Sequence, residues 1–203
     1  MELASFVSDF AAAMECADER EPVHVSRTGR AYRPGIGPHA EDLAVRLTLE
    51  ELRRLPGYAE TPVGQALPYP RAPRQRCDVW IGQPVEWAIE VKMARFRGDN
   101  GKPDDTSLKD LLSPYDKDRS ALTDCRKLAD AGFECMTAVL VYGFDYDDRP
   151  LDPAIEAFER LSEATVKLGP RVEAPLVGLV HPVHATGRVF GWQVSSPQEP
   201  TAA

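Results

Sequence analysis

Apolar positions along the chain recur every three to four residues in some stretches and every second residue in others, which separates helices from strands. Leu3, Phe6, Val7, Phe10 and Met14 predict an amphipathic helix over 3–17. Residues 21–38 have no sustained period and read as an irregular connection with a short strand near 22–26. A second helix is expected over 38–55: Pro38 opens it, Glu41 and Asp42 fill its first turn, Arg53 and Arg54 its last, and Pro56-Gly57 stops it. The proline-rich stretch 57–73 admits only an edge strand around 61–67. Arg76 to Ile81 and Trp87 to Met93 then read as a hairpin broken at Gly82-Gln83-Pro84. In its second strand Trp87, Ile89, Val91 and Met93 share one face; Ala88, Glu90 and Lys92 share the other.

Further along, 94–113 is polar and is expected to be a long functional or mobile loop. A helix over 115–131 stops at Gly132, and 134–144 is a nearly continuous apolar strand of the kind buried on both faces. A helix over 152–168 and two strands within 175–194, joined near Thr186-Gly187, complete the pattern. The tail SSPQEPTAA reads as frayed.

A chain of 203 residues, 43% apolar, can bury one good-sized core, so a single domain over 1–203 is expected. Its core spans about 38–144, with the helix over 3–17 before it and the helix and strands of 152–194 after it. No apolar run approaches the roughly 20 residues that cross a bilayer, and the first residues lack a basic start, which points to the cytoplasm and away from a membrane. Cys16, Cys77, Cys125 and Cys135 are scattered and read as buried thiols in a reducing cytoplasm. His181 and His184, in HPVH, fall in the first of the C-terminal strands and read as structural rather than metal-binding. The net charge of −8 excludes indiscriminate nucleic-acid binding. Yet Arg71, Arg74, Arg76, Lys92, Arg95, Arg97 and Lys102 cluster around the hairpin, which predicts a basic groove on an acidic body.

The hairpin carries the chemistry. With a turn centred on Pro84, partners sum to 168, which sets Asp78 opposite Glu90 with Cβ atoms about 5 Å apart. Two carboxylates at one spot repel and call for a cation, and Lys92 brings only a single charge. Mg²⁺ or Mn²⁺ suits two carboxylates, a backbone carbonyl such as that of Val91, and retained waters.

Asp78 followed after a turn by Glu90-Val91-Lys92 resembles the D…(D/E)xK signature of the PD-(D/E)xK nuclease superfamily, although Cys77 stands where that motif has proline. The resemblance implies an α/β, restriction-endonuclease-like fold with an αβββαβ core, its central mixed sheet flanked by helices. It implies a Mg²⁺- or Mn²⁺-dependent nuclease acting on DNA in preference to RNA, in restriction, phage defence or repair. Asp78, Glu90 and the Val91 carbonyl would hold the metal, and Lys92 would orient or deprotonate the attacking water or steady the transition state. Glu41 either completes the metal site or only complements the helix dipole. Arg76, Arg95, Lys117 and Arg119 are the candidate substrate contacts. The chain carries no separate DNA-reading domain, so a second copy or a partner protein is expected to supply recognition. The alternative is a catalytically inactive protein that keeps the nuclease fold and acts by binding a partner.

Overall fold

Helix α1 runs Leu3–Glu19 and α2 Glu41–Leu52; strands β1 (Val63–Tyr69), β2 (Ala72–Ile81) and β3 (Trp87–Ala94) follow. After them come α3 (Thr106–Leu112), α4 (Ala121–Asp130), β4 (Met136–Phe144), α5 (Asp152–Ser162), β5 (Lys167–Leu168), β6 (Val172–Leu176) and β7 (Gly187–Ser195). This computed structural model describes residues 1–29 and 31–196, so the expected fraying of the tail from Pro197 on lies outside the described residues. One mixed sheet of seven strands has the order β1-β2-β3-β4-β7-β5, with β6 also on β7. Among the described residues only β3 and β4 pair in parallel.

Helices cover both faces. On one, Phe6, Phe10 and Met14 of α1 and Ala44, Val45 and Leu49 of α2 pack on Val79, Ile81, Ile89 and Val91. On the other, Leu111 of α3, Leu122, Cys125 and Leu128 of α4, and Ile155 and Phe158 of α5 pack on Ala88, Val139 and Val141. Burial on both faces is why β4 reads as an unbroken apolar run.

Several expected bounds shift. Helix α2 begins at Glu41 rather than Pro38, with Ala40 as its extended cap. The stretch 94–113 is not all loop: Leu111 is fully buried against the sheet and anchors α3. The helix expected from Tyr115 starts only at Ala121, because Arg119 takes a left-handed turn (φ 50°) and Ser120 caps α4 by accepting from the Thr123 N–H. The helix expected over 152–168 ends at Ser162, and the chain returns as β5. Finally, the expected strand holding HPVH stops at Leu176. Residues 177–186 form a loop whose histidines, His181 and His184, are buried. That loop is tied down by the buried Asp18, whose carboxylate accepts from the Val180 and Ile36 N–H groups at 2.5 and 2.6 Å.

Candidate active site

The hairpin register is the one its turn sets: Val79 faces Ile89, Trp80 faces Ala88 and Ile81 faces Trp87. Pairing stops there, one step before Asp78 and Glu90. Here β2 leaves β3 and stays with β1 alone. Val79 packs on the α1–α2 side whereas Cys77, two residues earlier, packs on the α4 side, so the β1–β2 ribbon turns over between them. Ala66, between Gln65, which pairs with Val79, and Leu67, which pairs with Cys77, sits at φ 62°, a left-handed conformation costly for a residue with a Cβ.

The parting of the strands frees one edge of β3, and two carboxylates take it up. Asp78 Oδ2 accepts the Val91 N–H at 2.8 Å, and Glu41 Oε2, from the start of α2, accepts the Met93 N–H at 2.6 Å. Backbone groups two residues apart on a strand point to the same edge, so both acids stand where ladder partners would otherwise be. Glu90, only 2% exposed, accepts hydrogen bonds from the Tyr69 hydroxyl and, at 3.3 Å, from Lys127 Nζ. Lys92 Nζ lies 2.9 Å from Asp124 Oδ2, 3.4 Å from Glu41 Oε1 and 3.3 Å from the Val91 carbonyl oxygen. Asp124 Oδ1 meets Lys127 Nζ at 2.5 Å.

Three members of this constellation, Tyr69, Asp124 and Lys127, escape the sequence reading. The available signal was Asp124: it falls between Ala121 and Leu128 on the apolar stripe of α4, where an acid is out of place. Of the expected substrate contacts, Arg76 and Arg119 line the cleft above these groups, which has a volume of about 880 Å³. Arg95 is turned away: it donates to the Gly37 carbonyl at 2.5 Å and faces Asp99 at 3.6 Å. Lys117 lies over the Tyr115 ring, 5.8 Å from its centre, outside the cleft lining. The expected basic groove is corrected as well. Arg97 pairs with Asp148 and Arg71 with the Asp130 carbonyl, and the cleft itself is lined by seven carboxylates and five cations. Nearness in sequence put the arginines together; their partners in space pulled several apart.

Burial pushes the Glu90 carboxyl up to about 9, and the nearby Asp124 and Asp78 carboxylates add to the rise against Lys127. Burial also raises Glu41, with Lys92 and the Met93 N–H opposing it. For Lys92, burial works against the ammonium, but Glu41, Asp124 and Asp78 outweigh it and hold its pKa above the ordinary lysine value. Lys92 is therefore a fixed cation. A carboxyl raised in the folded state contributes stability that is fully present below its ordinary 4.5 and is lost as pH rises through about 9. Thermal midpoints of the metal-free protein across that window are expected to fall further in wild type than in Glu90→Gln. Parallel curves for the two proteins would remove Glu90 as the source.

Comparison with protein-family models, with curated proteins and with solved structures yields no match to this chain.

Proposed function

We propose that the chain is a divalent-metal-dependent phosphodiesterase that hydrolyses DNA. One observation carries this reading: Asp78 and the cationic Lys92 meet Val91 on the freed β3 edge, and the buried Glu90 lies beside Asp78, inside a cleft that also presents Arg74, Arg76 and Arg119. The order α2, β1, β2, β3, α3, α4, β4, with three antiparallel strands and a fourth parallel to β3, supports assigning residues 41–144 to a restriction-endonuclease-like αβββαβ core with α3 as an added helix after β3.

The donor set fits Mg²⁺ or Mn²⁺. Asp78 and Glu90 offer hard oxygens, and the Val91 carbonyl shares the edge that its N–H presents to Asp78. Among the described residues no three acidic, imidazole or thiol groups form a metal cluster. Two carboxylates and one carbonyl leave positions for water, as Mg²⁺ prefers. Such an ion supplies Lewis acidity and lowers the pKa of bound water. Glu41 spends both oxygens on Met93 and Lys92, and we assign it to positioning these. Lys92, held charged, stabilises negative charge on the phosphoryl oxygens rather than accepting a proton. Lys127 and the guanidinium groups bind the phosphates on either side.

The excess of carboxylates in the cleft, with Lys92 already paired to Asp124, favours one rival: an inactive nuclease-like protein serving a partner. The test is cleavage of labelled single- and double-stranded DNA with Mg²⁺ or Mn²⁺ by wild type, Glu90→Ala and Asp78→Asn. Metal-dependent cutting that both substitutions abolish is the expected result. A wild-type protein that neither cuts nor binds Mn²⁺ in isothermal titration would leave the rival standing.

A further inference from the structure

The two carboxylates assigned to the metal each have one oxygen committed to the protein. Asp78 spends Oδ2 on the Val91 N–H. Glu90 spends Oε1, which accepts from both the Tyr69 hydroxyl and Lys127 Nζ. Among the described residues no N–H or hydroxyl group donates to Asp78 Oδ1 or Glu90 Oε2, and the two carboxyl groups lie side by side.

Of the two donors to Oε1, Tyr69 is the fixed one. Lys127 Nζ stands 3.3 Å away on a side chain 35% exposed, and it meets Asp124 more closely, at 2.5 Å. Tyr69 is 2% exposed. Its ring packs on Phe133, with centroids 5.3 Å apart, and Lys127 Nζ lies over its face. A phenol ring held in this way leaves its O–H only rotation about the C–O bond. The backbone aims the ring: Pro68 pairs with Arg76 but Tyr69 with Ala72, so the β1–β2 ladder slips at Tyr69. Such irregularities re-aim a side chain and are frequent next to active sites. A phenylalanine would fill the same space, so what the hydroxyl adds is its bond to Glu90.

Resting on the nuclease reading, we propose that Tyr69 is a positioning residue that sets which ion the site takes: by tying Oε1 it leaves Glu90 a single oxygen, Oε2, for the metal. One oxygen per carboxylate suits Mg²⁺ or Mn²⁺, which take a small octahedral shell and retain water. Ca²⁺ takes about six to eight oxygens and accepts bidentate carboxylates. Freeing Oε1 therefore favours Ca²⁺, while loosening Glu90 weakens the smaller ions.

The test is isothermal titration of the full chain with Mn²⁺ and, separately, with Ca²⁺, on wild type, Tyr69→Phe and Tyr58→Phe. Tyr58 is a matched control: its buried hydroxyl also donates to a carboxylate, Asp9 Oδ2 at 3.0 Å, but on the α1–α2 side and outside the cleft. Tyr69→Phe is expected to weaken Mn²⁺ binding about tenfold and to change Ca²⁺ binding by less than about twofold, so the preference for Mn²⁺ shrinks. Tyr58→Phe is expected to leave both affinities at their wild-type values. Phe133→Leu, which loosens the ring without touching Glu90, should shift the ratio the same way by less; it also serves where Tyr69→Phe folds poorly, as thermal midpoints of the metal-free proteins will show. An unchanged ratio in Tyr69→Phe, with both ions weakened alike or neither, overturns the role. Asp78→Asn separates that result from failure of the nuclease reading. Asp78-dependent Mn²⁺ binding in wild type with an unchanged ratio in Tyr69→Phe sinks the role of Tyr69 alone, whereas a wild type that binds no Mn²⁺ sinks the metal site and this role with it.

Discussion

Lys92→Met is expected to lower metal-dependent DNA cleavage by about 10²–10⁴-fold while leaving Mn²⁺ affinity near that of wild type. Lys92 touches the Val91 carbonyl oxygen but supplies no oxygen to the metal, and its charge is locked by Glu41 and Asp124. The substitution therefore removes charge from the transition state and spares the metal donors. Single-turnover cleavage and isothermal titration, run on the same preparation, separate the two effects. A Lys92→Met protein that cuts within a few-fold of wild type would deny this residue its role. Because Lys92 is 11% exposed and its loss unpairs Glu41, the comparison should be made well below the variant's own unfolding temperature.

The largest loss of stability is expected from Asp124→Ala. Asp124 is 1% exposed and faces two ammonium groups, at 2.9 and 2.5 Å. Removing one partner of a buried ion pair costs about 3–5 kcal/mol, because the remaining charge stays out of water. Glu41 and Glu90 still reach Lys92 and Lys127, which places the expected cost near the lower end. At about 2–4 °C per kcal/mol for a chain of this size, the thermal midpoint should drop by roughly 10 °C. Asp124→Asn, which keeps the shape and an acceptor oxygen, should fall between the two. A midpoint for Asp124→Ala within about 2 °C of wild type would mean that the three charges are solvated rather than interlocked.

Asp124 also marks where a linear reading runs out. Its place on an apolar stripe is visible in the sequence, but its partners lie 32 residues upstream at Lys92 and three residues downstream at Lys127. Only the packing of α4 across β3 brings the first of these to it. Lys117 is the converse. Its position after the Glu-x-Lys strand made it a candidate, yet the left-handed turn at Arg119 delays α4 until Ala121 and leaves Lys117 over Tyr115, while Lys127 reaches Glu90.

By itself the sequence determined what is local. The two-residue period of β3, the register of its hairpin around Pro84, the unbroken apolar run of β4 and the apolar stripes of α1 and α4 follow from spacing along a few residues. The turn register also brought Asp78 near Glu90, although the ladder stops at Val79 and Ile89 and Asp78 bonds to the Val91 N–H instead of lying opposite Glu90. Tertiary structure decided where the hairpin stops pairing, because the ribbon turns over at Ala66 and Asp78 to feed two cores on opposite faces of one sheet. It decided that Glu41 holds the edge of β3 from a helix 52 residues away, and that Arg95 and Arg97 serve other carboxylates instead of the cleft. Such contacts depend on how whole elements pack, and no period within a single element encodes which distant charge a side chain will meet.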